Sequence, residues 1–258
     1  MGLVGDRIVK QAVGIDQSGK VFWRSEDVLK LTERRMSGTA WTYSKEFDKD
    51  GYYVVKDMWD PNELYHPPIH ETGCYEYFKN GGHRFFGNEG QVEGSLSRYN
   101  VPIYKRIHNK IRHKVQEIIG RKLYNTYYFD RFYFPGTELE KHIDRDSCEI
   151  SVSIHIGTNL KEPWPFYIKT PDEYFNSFRD TILNPGEERA IILEPGDGVI
   201  YKGCERPHWR KPMPSNKESW FSKKEKEYYH QIFFHYVLQD GQRVYASNDT
   251  MRIENFKP

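Results

Sequence analysis

The segment from Tyr133 to Ile156 reads YFPGTELEKHIDRDSCEISVSIHI and contains the clearest structural signal in the chain. In its second half, Ser151, Ser153 and His155 alternate with isoleucine and valine. Because successive side chains of a strand point to opposite faces of a sheet, this alternation predicts a β-strand with one polar and one apolar face. We expect the polar face to line an interior site.

A His-x-Asp pair lies at the end of the preceding predicted strand. His142 and Asp144 are two residues apart, so on a strand both side chains would lie on the same face. His208 follows 66 positions after His142, at the end of a strand that starts from a Pro-Gly-Asp turn. A His-x-Asp pair alone arises by chance, but two histidines and one carboxylate are the facial triad of non-haem Fe(II) sites. We therefore predict a metal site formed by these three residues.

The composition of the 258 residues is that of an ordinary globular protein, with 37% hydrophobic and 29% charged residues. The formal net charge of +1 gives no general electrostatic reason to expect binding to nucleic acid or to an anionic membrane. No stretch approaches 18 consecutive apolar residues, so no membrane-spanning helix is expected. The oligomeric state does not follow from these features.

The cysteines favour a reducing compartment. Cys74, Cys148 and Cys204 are an odd number and form no Cys-x-x-Cys pair, which argues against a disulfide framework and against a cysteine-rich zinc site. The N-terminus MGLVGDRIVK lacks the apolar region of a signal peptide. We expect a cytoplasmic protein.

The first half of the chain predicts helices that support a later sheet. Tyr52 to Val55 is rich in strand-forming residues, and Asp60-Pro61 is a typical helix start. Between Pro102 and Ile119, isoleucine and valine recur at intervals of three and four residues, which predicts a long amphipathic helix. Its opposite face is basic. A basic face could bind nucleic acid, but a solvated helix surface is the better interpretation. The glycine-rich stretch 79–94 predicts a loop, and whether it is a lid stays open.

After Gly120 the pattern changes to short strands separated by Pro-Gly turns, which predicts a barrel or jelly roll. The predicted strands are 123–134, 138–142, 148–156, 165–169, 189–193, 197–202, 205–210 and 228–238. Residues 170–188 form a long polar excursion. We therefore expect one domain over 1–258, of the α+β class but mainly β. It would have an N-terminal extension at 1–50, a helical support region at 51–121, a strand-rich core at 122–240 and a tail at 241–258.

Residues 51–239 resemble the 2-oxoglutarate- and Fe(II)-dependent dioxygenases, in particular their prolyl 4-hydroxylase-like branch. The strand and helix start DGYYVVKDMWDPNEL, the YFPG followed by His-x-Asp, and the EPGDGVIYKG that leads to His208 are similar to segments of that family in the same order. The resemblance implies a double-stranded β-helix, or jelly roll, with N-terminal helices packed on one sheet. It also implies that His142, Asp144 and His208 bind Fe(II) as catalytic centre.

In that family 2-oxoglutarate and O2 are consumed, a C–H bond of a substrate is hydroxylated, and succinate and CO2 are released. The resemblance suggests a peptidyl or free proline as substrate. The alternatives are another small molecule or a nucleobase. A different class of protein, a non-catalytic metal-binding jelly-roll module, stays open beside the enzyme.

The residues that would bind 2-oxoglutarate depart from the family pattern. Prolyl hydroxylases place a lysine or arginine well beyond the distal histidine to bind the C5 carboxylate; here Lys217 is close to that position. Arg210 is the favoured candidate, because it lies two residues beyond His208 on the same strand face. Lys226 would serve if 211–225 were an insertion. Tyr133 matches the tyrosine of the family, and His155 is placed as a second donor. Ser151 and Ser153 either complete this polar wall or only bond to one another.

Overall fold

The computed structural model describes residues 14–15, 21–22, 45–64, 83–86, 91–102, 104–171, 173–176, 181–184, 186–216 and 227–249. Lys217 and Lys226 lie outside these residues. Within them, the structure consists of two antiparallel sheets, two short hairpins and a small number of helices. None of the helices in this part of the chain is long and apolar enough to cross a lipid bilayer.

The described helices are α1 (Lys45–Asp50), α2 (Pro61–Leu64) and α3 (Tyr104–Ile119), with short 3-10 helices at Asp146–Cys148 and Val244–Asn248. The strands are β1 (Gly14–Ile15), β2 (Val21–Phe22), β3 (Tyr52–Val55), β4 (His83–Phe86), β5 (Leu96–Tyr99), β6 (Leu123–Tyr133), β7 (Leu139–His142), β8 (Ile150–Thr158), β9 (Phe166–Lys169), β10 (Glu173–Asn176), β11 (Thr181–Asn184), β12 (Glu188–Ile191), β13 (Gly198–Tyr201), β14 (His208–Arg210) and β15 (Tyr229–Leu238).

The larger sheet has seven strands in the order β3-β13-β8-β15-β6-β5-β4, and the smaller sheet has four in the order β12-β9-β14-β7. Successive strands alternate between the two sheets from β6 to β9, and they do so again from β12 to β15. Eight strands distributed in this way form a double-stranded β-helix. The predicted fold class is confirmed, and each of the eight predicted strands is present with its ends shifted by no more than a few residues.

An apolar core joins the inner faces of the two sheets. Phe166 and Ile168 of the small sheet pack with Val199 and Tyr201 of the large sheet in one buried cluster. Leu139 packs in a second buried cluster with aromatic residues of β6 and β15. The polar site described below lies between these two clusters, so it is enclosed by apolar side chains on the inner faces of both sheets.

The helices cover the outer face of the large sheet. Ile107, Ile111 and Val115 of α3 are almost fully buried in one cluster with the apolar residues of β8 and β15. Burying a side chain of this size contributes about 1.5–3 kcal/mol relative to leaving it in water. The amphipathic helix predicted between Pro102 and Ile119 is therefore present, and it begins at Tyr104.

Strand β8 separates the apolar layer from the site. Its residues Ile150, Val152, Ile154 and Ile156 all belong to the cluster beneath α3. Ser151, Ser153 and His155 therefore point to the opposite face, between the sheets. The polar and apolar faces that the sequence predicted for this strand are both present.

Two stretches in which the sequence predicted no strand contain strands. The glycine-rich stretch contains β4, which pairs with β5 at the edge of the large sheet. Its sequence His-Arg-Phe-Phe favours extended backbone between the glycines. The polar excursion 170–188 contains the hairpin of β10 and β11, whose strands pair in antiparallel register. The helix expected at Asp60-Pro61 is present but spans only Pro61–Leu64.

Candidate active site

Strand pairing brings the three predicted metal ligands together. His142, the last residue of β7, pairs directly with His208, the first residue of β14, and their ring centroids are 4.3 Å apart. The Asp144 carboxylate lies beside both rings, with its Oδ1 atom 3.6 Å from His142 Nε2 and 3.5 Å from His208 Nε2. All three ligand atoms lie within 4.8 Å of one another.

Both histidines are held in the tautomer that a metal requires. The Nδ1 atom of His142 lies 2.8 Å from the carbonyl oxygen of Glu140, and the Nδ1 atom of His208 lies 2.9 Å from that of Arg206. A carbonyl oxygen only accepts hydrogen bonds, so each Nδ1 must carry the proton and donate it. In the neutral imidazole each Nε2 is then the ring nitrogen with a lone pair for a metal ion.

Asp144 is fixed from two sides. Its backbone N–H donates to the carbonyl oxygen of Gly203 (2.8 Å), and the hydroxyl of Ser151 donates to its Oδ2 atom (2.9 Å). Gly203 must remain a glycine, because a Cβ atom at this position would lie 2.4 Å from Asp144 Oδ2. Oδ1 is therefore directed at the two histidines while Oδ2 is occupied by Ser151.

The electrostatic surroundings keep Asp144 ionised. Burial alone would raise the pKa of this carboxyl group, but the neighbouring His208 and His142 outweigh burial and hold the pKa well below its ordinary value. An ionised carboxylate beside two imidazole rings is the donor set of a non-haem iron site.

A cavity of about 170 Å³ opens onto the three ligands. Tyr127, Phe129 and Phe233 of the large sheet form part of its wall, and Arg131 lies beside them. Phe129 and Phe233 are stacked, with ring centroids 4.5 Å apart. The cavity therefore offers an aromatic wall next to the metal ligands.

Gln91 connects the metal ligands to this wall. Its amide nitrogen donates to Nε2 of His142 (2.9 Å), and its amide oxygen accepts a hydrogen bond from the guanidinium of Arg131 (3.1 Å). The sequence did not indicate Gln91 or Arg131, because neither belongs to a recognisable motif. Only the folded chain shows that Gln91 engages the lone pair that a metal would need.

Arg210 is enclosed inside the barrel. Its guanidinium is fully buried against the rings of Trp164 and Tyr229, with 4.5 Å from its central carbon to each ring centroid. It donates to the carbonyl oxygen of Trp164 (2.6 Å) and to the amide oxygen of Gln231 (3.0 Å). No carboxylate among the described residues pairs with it, and its Nε–H finds no hydrogen-bond acceptor there.

The other predicted residues lie around Arg210 or next to it. His155 is opposite Gln231 in the strand register and stacks on Tyr229, with ring centroids 4.1 Å apart. Its Nδ1 atom donates to the carbonyl oxygen of Leu193 (2.7 Å), and burial lowers its pKa to about 4, so the ring is neutral. The Nε2 atom of His155 has no hydrogen-bond partner in the described part of the chain.

Ser153 and Tyr133 also face this interior. Ser153 accepts a hydrogen bond from the amide nitrogen of Gln231, and the Tyr133 hydroxyl accepts one from Arg131 (3.4 Å). Gln231, which contacts both Arg210 and Ser153, was not predicted. Its place could have been suspected only from the even spacing of Tyr229, Gln231 and Phe233 on one face of the last strand.

Comparison with solved structures finds oxygenases of similar fold. A prolyl-4-hydroxylase from Pseudomonas putida aligns over 74% of this chain and 94% of its own, with 11% identity and a TM-score of 0.47. A 2OG-Fe(II) oxygenase family oxidoreductase from Burkholderia pseudomallei aligns over 74% and 86%, with 11% identity and a TM-score of 0.47. The non-heme alpha ketoglutarate dependent epimerase SnoN from nogalamycin biosynthesis aligns over 81% and 82%, with 10% identity and a TM-score of 0.49. No family model and no curated protein matches the sequence.

Proposed function

We propose that this chain is an Fe(II)- and 2-oxoglutarate-dependent dioxygenase that hydroxylates a C–H bond of a small-molecule or peptidyl substrate and releases succinate and CO2. The observation that carries this proposal is the fully buried guanidinium of Arg210, which no described carboxylate neutralises, in the same barrel interior as two imidazole lone pairs and one carboxylate. The same interior thus contains side chains that can bind a divalent metal and a guanidinium that can bind the carboxylate of an organic acid.

The donor set fits ferrous iron. His142, Asp144 and His208 would hold the ion through two ring nitrogens and one carboxylate oxygen, the ligand set of non-haem Fe(II) sites. When bound there, iron would supply the activation of O2 and of 2-oxoglutarate. The reducing, cytoplasmic setting that we infer from the cysteines would keep iron in its ferrous state.

Arg210 fits the far carboxylate of the cosubstrate. Burying a guanidinium among neutral partners is costly, and an ionised ligand that accepts its hydrogen bonds offsets this cost. Arg210 is two residues from His208 on the same strand face, roughly 7 Å along the strand. A five-carbon dicarboxylate is long enough to span this separation with one end at the metal ligands.

The charges of the interior favour a dianion. A divalent metal and the Asp144 carboxylate together carry one net positive charge, and Arg210 adds a second. The two carboxylates of 2-oxoglutarate neutralise this pair of charges, which lowers the cost of keeping both inside the protein.

The remaining residues position this ligand. Gln231 orients the guanidinium through its amide oxygen, and Trp164 and Tyr229 pack against it. His155 stacks on Tyr229 and so helps to hold the ring that contacts Arg210. Phe129 and Phe233 add an apolar wall to the cavity at the metal ligands.

Turnover of 2-oxoglutarate tests this function. Purified protein with Fe(II), ascorbate and O2 should form succinate, and a substrate should stimulate the reaction; proline, proline-rich peptides and other small molecules are the first to screen. Asp144→Ala should reduce succinate formation to background. If metal-loaded wild type forms no more succinate than Asp144→Ala under every condition, the chain is a non-catalytic metal-binding module instead.

A further inference from the structure

A second group of metal-binding side chains lies on the other side of Asp144. Cys148 ends the 3-10 helix Asp146–Cys148, and His235 lies in β15. The Cys148 thiol, one ring nitrogen of His235 and one carboxylate oxygen of Asp144 all lie within 4.8 Å of one another. Cys148 is 2% exposed and His235 is 3% exposed, yet both line the cavity that opens onto the triad. An ion that enters this cavity can therefore reach either group.

Ser151 links the members of this group. Its hydroxyl lies 2.9 Å from Asp144 Oδ2, 3.2 Å from the carbonyl oxygen of Cys148 and 3.0 Å from His235 Nδ1. The two oxygens only accept hydrogen bonds, so the single hydroxyl proton of Ser151 is donated to one of them. His235 must then donate its Nδ1–H to Ser151, and in the neutral imidazole Nε2 is unprotonated. Nε2 is then the ring nitrogen that an ion would use.

We propose that Asp144, Cys148 and His235 form a second metal site, which takes a thiophilic divalent cation of the zinc class and shares Asp144 with the triad. Thiolate, imidazole and carboxylate are the three ligand types of protein zinc sites. Because Asp144 belongs to both groups, an ion held here draws this carboxylate away from His142 and His208.

The charges explain how the two sites select different metals. With a divalent ion, the Cys148 thiolate and the Asp144 carboxylate form a neutral unit, which suits a buried position without a further ligand. The thiol proton of Cys148 leaves to solvent when the ion binds. The triad with the same ion keeps one positive charge and has no sulfur, so it suits a harder ion together with an anionic cosubstrate.

Tyr127 supports the proposed thiolate. Its hydroxyl lies 3.1 Å from Cys148 Sγ, and its ring packs against His235 with centroids 4.6 Å apart. A hydroxyl that donates to a ligand sulfur fixes the direction of the sulfur lone pairs and lowers the cost of holding the negative charge. Tyr127 thus contacts both Cys148 and His235.

Cobalt absorption tests the site directly, because a thiolate ligand gives Co²⁺ an intense near-ultraviolet charge-transfer band that nitrogen and oxygen ligands do not. Reduced, metal-free protein titrated with Co²⁺ under anaerobic conditions should develop this band. The band should persist in His142→Ala, which impairs only the triad, and disappear in the near-isosteric Cys148→Ser. Cys204→Ser and Cys74→Ser are the matched controls and should keep it.

The affinities for Cd²⁺ and for Mn²⁺ distinguish the proposed site from the triad. We expect Cys148→Ser to weaken binding of Cd²⁺ by at least about tenfold, while the affinity for Mn²⁺, which reports on the triad, stays unchanged. Absence of the band in wild type, or its persistence in Cys148→Ser, would overturn the proposal. If the folding of Cys148→Ser is impaired, His235→Gln takes its place with the same expected loss of Cd²⁺ affinity. The test does not depend on turnover of 2-oxoglutarate, so it separates this site from the proposed activity.

Discussion

Arg210 is held by Trp164 and by Tyr229 and Gln231 of the last strand. None of them carries a negative charge. A guanidinium does not lose its proton inside a protein. Its burial therefore destabilises the fold unless an anion binds to it. This single residue is therefore the main reason to expect an acidic ligand in the barrel.

Replacing Arg210 with glutamine should weaken the binding of 2-oxoglutarate about 10- to 100-fold, because a hydrogen bond to a charged group contributes roughly 1.5–3 kcal/mol. The affinity for Mn²⁺ should not change. Calorimetric titration of the Mn²⁺-loaded protein measures both quantities. The exposed neighbour Lys211, replaced by glutamine, is the control. If Lys217→Gln or Lys226→Gln shows the loss instead, Arg210 is not the cosubstrate residue.

Gln91 competes with a metal for one lone pair. Nε2 of His142 cannot accept the Gln91 amide hydrogen bond and bind a cation at the same time. Gln91→Ala should therefore increase the affinity for Mn²⁺ or Ni²⁺ about three- to tenfold, since a hydrogen bond contributes roughly 0.5–1.5 kcal/mol.

Metal titration without 2-oxoglutarate measures this change. The control is Glu93→Ala, in the same turn but exposed to solvent. Unchanged metal affinity in Gln91→Ala would show that Gln91 does not compete with the metal. Weaker affinity would show that it helps to bind the metal.

The sequence revealed some of these residues and not others for a physical reason. His142, Asp144 and His208 could be predicted because iron chemistry restricts which side chains can serve and because strand geometry restricts their spacing. Gln91 and Gln231 could not. A glutamine has no restricted role, and its contacts depend on strands and turns that are far apart in the chain.

At the scale of elements, α3 is held against the large sheet by one buried histidine among its aliphatic residues. His108 is 2% exposed and donates from Nε2 to the carbonyl oxygen of His235 (3.1 Å). Its ring packs against Tyr128, Phe234 and Tyr236. Burial lowers its pKa from 6.5 to about 3. The histidine is therefore neutral in the folded protein.

This shift predicts a loss of stability in acid. The folded pKa lies below the unfolded pKa, so the stability that neutral His108 contributes is present above pH 6.5 and is lost as the pH falls toward 3. The slope approaches about 1.4 kcal/mol per pH unit. His108→Gln keeps an N–H donor and does not titrate. Urea unfolding of both proteins at pH 7, 6 and 5 measures the difference, and parallel pH profiles would contradict the prediction.

The elements were predictable where local pattern and packing agree. The alternation in β8 and the helical spacing in α3 each reflect one buried face, so both were found. Strands β4 and β5 were missed because they lie beside glycines and because their formation depends on pairing, of β5 with β6 and of β4 with β5. The hairpin of β10 and β11 was missed because each strand has only four residues with the two apolar ones adjacent, which gives no alternating pattern.

At the scale of the whole molecule, the two sheets bring together residues that no local pattern connects. His142 and His208 meet because β7 and β14 are neighbours in the small sheet. Arg210 meets Gln231 because the small sheet faces the large one. The order of the strands was expected from the resemblance to the dioxygenases. The contacts between the sheets could not be predicted, because local sequence does not determine the register of strands in opposite layers.

The central claim is that one interior binds Fe(II) through His142, Asp144 and His208 and 2-oxoglutarate through Arg210. Anaerobic addition of Fe(II) and then 2-oxoglutarate tests it most directly, by visible absorption. The account predicts a weak charge-transfer band in wild type, none in His142→Ala, and a band in Arg210→Gln only at much higher 2-oxoglutarate concentration. Folded, iron-bound wild type without the band, or an undiminished band in His142→Ala, would contradict it.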